Sequence, residues 1–207
     1  MDIFTKIKFI WKKPKVVIIT GEGGDCAKEA IFQVLKERFK IGSDLFIFAL
    51  SNSKEIKFLI KNSSSPVLVV ANIDAFPFDL VEILPPQGYL VLNFDDETKP
   101  SARGFAPRSC AFGFGQGADF RVSDIRQNSG TNFKINYQGN VVPVWLRGLF
   151  DKEHIYAALA GAAVGATLGL NLVEISQALK NYQPLAETKK HDIMDARRPT
   201  AIKYEKR

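Results

Sequence analysis

The sequence predicts an α/β protein with a mostly parallel sheet, helices on both of its faces and an antiparallel β extension. Three observations predict this fold class. Short apolar runs alternate with helical patterns through the first half of the chain, as in strands buried on both faces. A glycine-rich turn joins the first apolar run to the first long helical pattern. Four further strand patterns then follow one another with no helix between them.

Each element of the first half has a local cause. The strand runs are continuously apolar, whereas the first long helix repeats apolar residues at i, i+3 and i+4, as Ile31, Val34 and Leu35 do. Ser51 or Ser53 is expected to cap the next helix, and a Pro-Pro pair ends the last one. The predicted elements are helices over residues 2–12, 27–39, 52–60 and 78–84, and strands over residues 16–20, 44–50, 67–71 and 88–93.

The second half predicts an antiparallel extension and two closing helices. Gly130 and the run Gln138-Gly139-Asn140 supply turns between strand patterns. Asn171 and Glu174 have the spacing of a capping box for the last helix. The apolar run over residues 157–170 is too short to span a bilayer and indicates a buried helix. The predicted elements are strands over residues 110–114, 120–125, 133–137 and 141–146, and helices over residues 152–168 and 172–182.

Composition and charge leave several classes of partner open. The chain has 207 residues, of which 46% are hydrophobic and 24% charged, as in ordinary globular proteins. Its net charge of +6 fits nucleic acid, membrane surfaces or anionic small molecules and selects none of them. Because much of the excess lies at the ends, we expect an amphipathic helix or linker over residues 1–14, a central domain over residues 15–184 and a basic tail over residues 185–207.

The first helix and the cysteines bear on where the protein acts. The helix places apolar residues at roughly helical spacing between lysines, which is typical of a membrane-surface helix or of a helix docked on the core, and we favour docking. The early lysines also argue against a signal peptide. Cys26 and Cys110 form neither a metal-ligand spacing nor a disulfide framework, so a reducing cytoplasm is the simplest location.

The turn after the first strand has the backbone of a phosphate-binding loop without its side chains. Thr20, Gly21, Gly23 and Gly24 would let backbone N–H groups approach an anion at the start of a helix. A working loop adds Lys, which neutralises the phosphates, and Ser or Thr, which holds Mg²⁺. Here the run Asp25-Cys26-Ala27 stands in their place, and we expect Asp25 to fill the cationic pocket itself. The alternative is a tight turn that binds no ligand.

Several stretches, in this order, resemble the Mur ligases. The stretches are KIKFIWKKPKVVIITGEGG with KEAIFQVLKERF, VVANIDAFPFDLVEILPPQGYLVLNFDDE, CAFGFGQGADFRVSDI, and WLRGLFDKEHIYAALAGAAVGATLGLNLVEISQALKNYQPL. Mur ligases are ATP-dependent amide ligases that add amino acids to the UDP-muramoyl peptide, and the likeness is greatest to the member that adds D-alanyl-D-alanine. The resemblance covers about residues 5–188 and implies the fold of the Mur ligase central domain.

This sequence departs from the family pattern at positions that carry chemistry. The loop Lys and Ser/Thr are absent, and the stretch that normally includes an acidic metal ligand is mostly missing. Asp74 stands where the family has His after Asn72-Ile73, and Glu153-His154 replaces its His-Asn pair. Glu187-Thr188 replaces the expected Gly-Arg. These losses imply that ATP-dependent ligation is no longer performed.

Three positions outside the loop are candidate nucleotide contacts by the resemblance, namely Asn72, Asn93 and His154. Asn93 begins the run NFDD, which also has the residue types of a metal or ribose site, although polar turns at strand ends are commoner. His154 is also explained as an ordinary histidine at a helix start. No Ser-His-Asp arrangement or metal cluster emerges from the sequence, so we predict no catalytic residue and no metal site.

We hypothesise a degenerate Mur-ligase-like protein that scaffolds or regulates peptidoglycan precursor synthesis in the cytoplasm, without a cofactor. Its partner would be a complete Mur ligase or another cell-wall enzyme. Two alternatives stay open. One is an active or split ligase that uses ATP and Mg²⁺ through an altered loop. The other is a protein that binds an anionic membrane surface or nucleic acid through its basic ends.

Overall fold

A single eight-stranded sheet organises the chain in the order β2-β1-β3-β4-β5-β6-β7-β8. The computed structural model describes residues 3–71, 78–96, 106 and 108–183. The strands are β1 (Lys15–Thr20), β2 (Leu45–Ala49), β3 (Ser65–Val70), β4 (Tyr89–Asn93), β5 (Ser109–Gly113), β6 (Phe120–Gln127), β7 (Thr131–Tyr137) and β8 (Asn140–Leu146). The helices are α1 (Ile3–Lys12), α2 (Gly24–Leu35), α3 (Ser53–Lys61), α4 (Phe78–Val81), α5 (Lys152–Thr167) and α6 (Leu172–Leu179).

Strands β1 to β5 are all parallel, which confirms the predicted α/β class. Strand β1 lies in the interior, with β2 on one side and β3 on the other, so the strand order reverses beside it. Helices cover both faces of this part. One core packs α2, α5 and α6 on the sheet, and the other packs α1, α3 and α4. Burial on both sides explains the continuously apolar strand sequences.

The prediction that all four later strands are antiparallel is wrong for β5 and for the junction between β5 and β6. Strand β5 pairs parallel with β4, and β6 pairs parallel with β5 through Phe112↔Phe120 and Gly113↔Arg121 alone. Because β6 starts beside the end of β5, a six-residue loop (residues 114–119) suffices and no crossover helix is needed. The antiparallel part is β6-β7-β8, and it continues the main sheet.

The second hairpin confirms the turn predicted at residues 138–140. Strands β7 and β8 are joined by two residues, Gln138 and Gly139, with φ angles of 49° and 78°. Two successive positive φ angles belong to the type I′ turn, whose twist matches that of paired strands. The bulge in β6 between Ser123 and Arg126 places Asp124 at a φ of 53°. These local features fix the register of the extension.

Helix boundaries differ from the prediction where capping decides them. Helix α2 begins three residues earlier than predicted, directly at Gly24, and ends at Leu35 rather than near residue 39. Helix α3 is capped by Asn52, whose side chain accepts hydrogen bonds from the N–H groups of Lys54 and Glu55, and not by a serine. The predicted capping box of α6 is confirmed, with Asn171 and Glu174 bonded reciprocally. Among the described residues, no helix has the length and apolar character needed to cross a membrane.

Candidate functional site

The glycine-rich loop lies at the carboxyl end of β1, as predicted. After Thr20, the last residue of β1, the chain turns through Gly21 (φ 102°) and Gly23 (φ 73°), and Gly24 starts α2. Gly23 occupies the N-cap position and gives no side-chain hydrogen bond to the helix. The first N–H groups of a helix have no partner within the helix, so this loop keeps the backbone arrangement that suits an anion.

A cavity of about 430 Å³ opens beside this loop. It lies above the carboxyl ends of β1, β3, β4 and β5, next to the point where the strand order reverses. Open α/β sheets bind their ligands in this crevice. The lining residues are Glu22, Gly23, Ala27, Ala71, Asn93, Phe112, Lys152, Glu153, Tyr156, Ala157 and Ala160.

Acidic side chains lie at the end of the cavity that is next to the glycine-rich loop. A β-carbon at Gly23 would lie 3.5 Å from Oε1 of Glu153, so that carboxylate rests over the glycine turn. Glu22, in the turn itself, also lines the cavity. Asp25 is exposed in the first turn of α2 and does not line it. The expectation that Asp25 fills the pocket is therefore wrong, because the acidic groups there come from Glu22 and from α5.

Lys152 is the one cation among the described residues that line the cavity. Its Nζ lies 4.9 Å from the centre of the Phe114 ring and 5.4 Å from that of Tyr156. Cations over aromatic faces are attracted by the negative π surface. Lys28 is the lysine that follows the glycine-rich loop most closely in the sequence. It is exposed on α2 and does not line the cavity. The cavity thus holds one lysine and two glutamates.

The side chain of Asp95 links the end of β4 to the loop after β5 and to α5. Its carboxylate accepts hydrogen bonds from the N–H groups of Phe114 (2.6 Å) and Gly115 (2.8 Å) and from the hydroxyl of Tyr156 (2.8 Å). Asn93 accepts from the N–H of Asp95 at 3.1 Å. Burial, followed by the hydrogen bond to Asp95, raises the pKa of Tyr156 well above its usual range. Asp95 is thus a structural acceptor between two strand ends and α5.

Glycines after β5 leave room for this arrangement. A β-carbon at Gly113 would lie 2.7 Å from Oδ2 of Asp95, and one at Gly115 would lie 2.7 Å from the ring of Phe94. A β-carbon at Gly117 would overlap the same ring. The alternating glycines of the stretch GFGQG therefore leave room for the turn that follows β4. This contact explains a motif that was identified only through the resemblance.

His154 belongs to the cap of α5 and does not line the cavity. Asp151 is the N-cap, and its Oδ1 accepts from the backbone N–H of His154 at 3.2 Å and lies 2.6 Å from Nδ1 of its ring. The imidazole packs between Phe150 and Tyr182, with ring centres 5.3 Å and 6.4 Å away. Burial opposes ionisation of Asp151, but the hydrogen bonds from His154 outweigh it and hold the pKa of Asp151 below its ordinary value.

The structure brings together part of the predicted site. Gly23 and Asn93 line one cavity, and Gly21 and Gly24 flank the same turn. Thr20 ends β1 beneath the loop, and His154 lies outside the lining. Asn72 lies outside the described residues, as do Asp74 and the pair at 187–188. The roles of these positions in ligand binding stay predictions.

The contribution of α5 to the cavity was not predicted from the sequence. Lys152, Tyr156 and Ala160 follow one another at i, i+4 and i+8, and Glu153 and Ala157 run beside them. This spacing places all five on one helical face and could have revealed them, because the other faces of α5 are almost wholly apolar. The small alanines leave the space above the sheet open.

The described residues do not fit a magnesium site of the ligase kind. Among them, no group of three or more His, Cys, Asp or Glu side chains is placed to hold a metal ion. The carboxylate of Asp95 already accepts three hydrogen bonds, which leaves little capacity for a cation. The Ser or Thr that would follow a loop lysine is absent from the sequence.

The fold and the loop define the class first: this is an α/β protein with the architecture of the Mur ligase central domain. In fold it is similar to the D-alanyl-D-alanine-adding ligase of Acinetobacter baumannii (TM-score 0.70, 16% identity, 87% of this chain and 48% of that one). It is also similar to the UDP-N-acetylmuramate-alanine ligase of Thermotoga maritima (TM-score 0.67, 13% identity, 88% and 48%). At these identities the likeness shows the fold.

In sequence the chain is similar to UDP-N-acetylmuramate–L-alanine ligases. It is 28% identical over 163 residues to that of Xanthomonas campestris pv. campestris, covering 69% of this chain and 33% of the relative. It is 31% identical over 116 residues to that of Xanthomonas oryzae pv. oryzae, covering 54% and 24%. The chain thus spans a third or less of the length of these relatives. No family model matches it.

Proposed function

We propose that this chain is a degenerate member of the Mur ligase family that has lost ATP-dependent ligation and scaffolds or regulates peptidoglycan precursor synthesis in the cytoplasm. One observation carries the loss of activity: the carboxylate of Glu153 lies against Gly23, a residue of the turn that would receive the anion in a phosphate loop. The sequence similarity to UDP-N-acetylmuramate–L-alanine ligases and the shared fold support the link to this pathway.

Electrostatics supports the loss of triphosphate binding at this loop. Two like unit charges 4 Å apart repel by about 4 kcal/mol at an effective dielectric constant of about 20. A phosphate against the loop would meet Glu153 and Glu22, whereas the ligase loop offers a lysine there. Lys152 offsets part of this repulsion, but its ammonium group is already engaged by two aromatic rings. The metal that would neutralise the remaining phosphate charge finds no fitting set of ligands in the described residues.

Binding of Mg-ATP to the full chain tests the loss of activity. We expect isothermal titration calorimetry to show no binding by the wild type at micromolar ligand. The variant Glu153→Gln removes one acidic group of the cavity and keeps the shape, so it should gain measurable affinity, and adding Glu22→Gln should increase that affinity further. Glu174→Gln, on the exposed first turn of α6, is a matched control. Micromolar binding of Mg-ATP by the wild type would contradict the proposal.

The regulatory role requires a partner, for which we propose a complete Mur ligase of the same cell. The partner rests on analogy with the Mur ligase family alone. The expected result is a saturable change in kcat or KM of one purified ligase as this chain is added to it. The L-alanine-adding and the D-alanyl-D-alanine-adding ligases should be assayed side by side, because the sequence relatives are of the first kind and the motifs resemble the second. No change with any ligase of the pathway would refute the regulatory role.

Lys152 favours a second candidate, an active or split ligase that binds ATP by an altered loop. Its side chain lines the same cavity as Gly23, where it could take the part of the missing loop lysine. Under this candidate, Lys152→Met should abolish Mg-ATP binding, while Lys180→Met, at the exposed end of α6, should have no effect. Binding that survives Lys152→Met would exclude this candidate.

A further inference from the structure

The helix α1 has two apolar sides, of which the core covers one. Phe9 is buried, and the centre of its ring lies 5.5 Å from that of Phe46 in β2 and 6.4 Å from that of Phe58 in α3. Ile7 and Trp11 lie two residues to either side of Phe9, which at 3.6 residues per turn places them on the other side of the helix. Among the α1 side chains that the structure describes, Phe9 is the one that docks on the core as predicted.

The uncovered side of α1 is a stripe of exposed large apolar side chains. Trp11 is 91% exposed, Ile7 57% and Ile10 45%. These three residues have the i, i+3, i+4 spacing of one helical face. By comparison Trp145, the other tryptophan of the chain, is 53% exposed. An exposed apolar cluster of this kind marks a protein or membrane interaction surface.

The way α1 joins the core holds this stripe in place. The helix ends in a left-handed residue, Lys13 (φ 42°), whose N–H donates to the carbonyl of Phe9 at 3.0 Å. Pro14 is buried, and its carbonyl accepts from the hydroxyl of Ser63 (2.8 Å) and the N–H of Ser64 (3.2 Å). The helix is thus fixed at its carboxyl end with Trp11 facing outward.

The charges beside the stripe identify the kind of partner. The segment over residues 3–15 has no acidic residue. Lys12 and Lys13 are exposed next to Trp11, and Lys6 and Lys8 lie on the same helix. A second copy of this chain would bring the same lysines against these, because symmetric contacts juxtapose identical patches. An anionic lipid surface instead satisfies both features, since it takes up the apolar stripe and attracts the ammonium groups.

We propose that α1 is an anionic-membrane anchor, in which Ile7, Ile10 and Trp11 enter the interface and the lysines contact acidic headgroups. The helix lies on the membrane surface and does not cross it. Tryptophan suits this depth because its indole has an apolar body and a polar N–H. The anchor would hold the domain at a membrane surface, and it is independent of any nucleotide chemistry.

The two tryptophans allow a direct test with the full chain. The variant Trp145→Phe leaves Trp11 as the sole reporter, and Trp11→Phe leaves Trp145, in the edge strand at the far end of the sheet, as the matched control. We expect phosphatidylglycerol-containing vesicles to shift the Trp11 emission to the blue and brominated lipids to quench it, with no change for Trp145. Phosphatidylcholine vesicles should have little effect, and salt should weaken the binding.

Vesicle co-sedimentation measures the contribution of the stripe. The variant Trp11→Ala should reduce binding to phosphatidylglycerol vesicles by about tenfold, whereas Trp145→Ala should leave it unchanged. Because Trp11 is almost fully exposed, its loss should not alter unfolding by urea. Four outcomes would overturn the proposal: no binding, equal binding to phosphatidylcholine, loss of a lipid-free dimer in Trp11→Ala, or binding of RNA without binding of vesicles.

Discussion

At the scale of single residues, the site is held by Asp95 and by the N-cap of α5. Asp95 accepts two hydrogen bonds from the loop after β5 and one from α5, and Asp151 caps α5 beneath the cavity. Neither role could be derived from the sequence, which showed Asp95 as one acidic residue of a polar turn. The partners of Asp95 lie 19 to 61 residues away, so no local spacing announces them. The capping box of α6 was predictable because its partners are three residues apart.

Removing the acceptor at Asp95 should destabilise the protein more than removing one of its donors. Asp95→Ala leaves two backbone N–H groups and a hydroxyl without their partner, and we expect a loss of about 1–3 kcal/mol in the free energy of unfolding. Tyr156→Phe removes a single bond and should cost about 1 kcal/mol. Urea unfolding followed by circular dichroism measures both. The double variant should be no less stable than Asp95→Ala, because the hydroxyl has already lost its acceptor, and additive losses would contradict the network.

The cap of α5 should depend on pH through Asp151. Asp151→Ala should cost about 1 kcal/mol at neutral pH, whereas Asp151→Asn, which also caps, should cost less. The pKa of Asp151 is below its ordinary value, so the carboxylate stabilises the folded state above about pH 4. This advantage over asparagine should vanish as the pH falls through the lowered pKa. Urea midpoints of the wild type and of Asp151→Asn between pH 3 and pH 7 check the sign. An advantage of the wild type that grows in acid would refute the prediction.

At the scale of elements, periodicity and capping determined most of what could be predicted. The helices and strands of the first half follow from apolar runs and i, i+3, i+4 repeats, and they lie where expected to within a few residues. The direction of β5 could not be derived from its sequence, because an apolar strand looks the same in either orientation. Its pairing is set by β4 and by the short loop to β6. The close contact between α5 and α2 could not be predicted from the sequence either, because small residues occur in helices whether or not another helix packs against them.

Gly165 in α5 should be needed for the close contact with α2. A β-carbon there would lie 2.7 Å from Cγ1 of Val34 and 3.1 Å from Ile175. Alanine gains about 1 kcal/mol of helix propensity over glycine, but overpacking a buried contact costs about 1–3 kcal/mol, so Gly165→Ala should destabilise the protein or at best be neutral. Adding Val34→Ala makes room, so Gly165→Ala should be stabilising in that background. Equal effects of Gly165→Ala in both backgrounds, measured by urea unfolding, would show that the contact does not matter.

At the scale of the whole molecule, one sheet joins the parallel part to the antiparallel extension. The core formed with α2, α5 and α6 contains residues from β1 to β8, including Val17, Val91 and Val144. The sequence predicted the fold class and the resemblance to Mur ligases over nearly the whole globular part. It left open the surroundings of the loop, because Glu153 and Lys152 reach the cavity from a helix more than a hundred residues away.

A continuous core predicts that the extension and the parallel part unfold together. Strand β6 overlaps β5 by two residue pairs, but α5 packs against β4, β5 and β6, and α6 packs against β8 and α2, so the helices cross the junction. In Trp11→Phe the sole tryptophan, Trp145, reports on β8, while far-UV circular dichroism reports on the whole chain. The two urea transitions should coincide in midpoint and slope, as expected for one cooperative unit. A Trp145 transition at lower urea would instead mean that β6-β7-β8 separates first, and the helices would then not bind the two parts of the sheet into one unit.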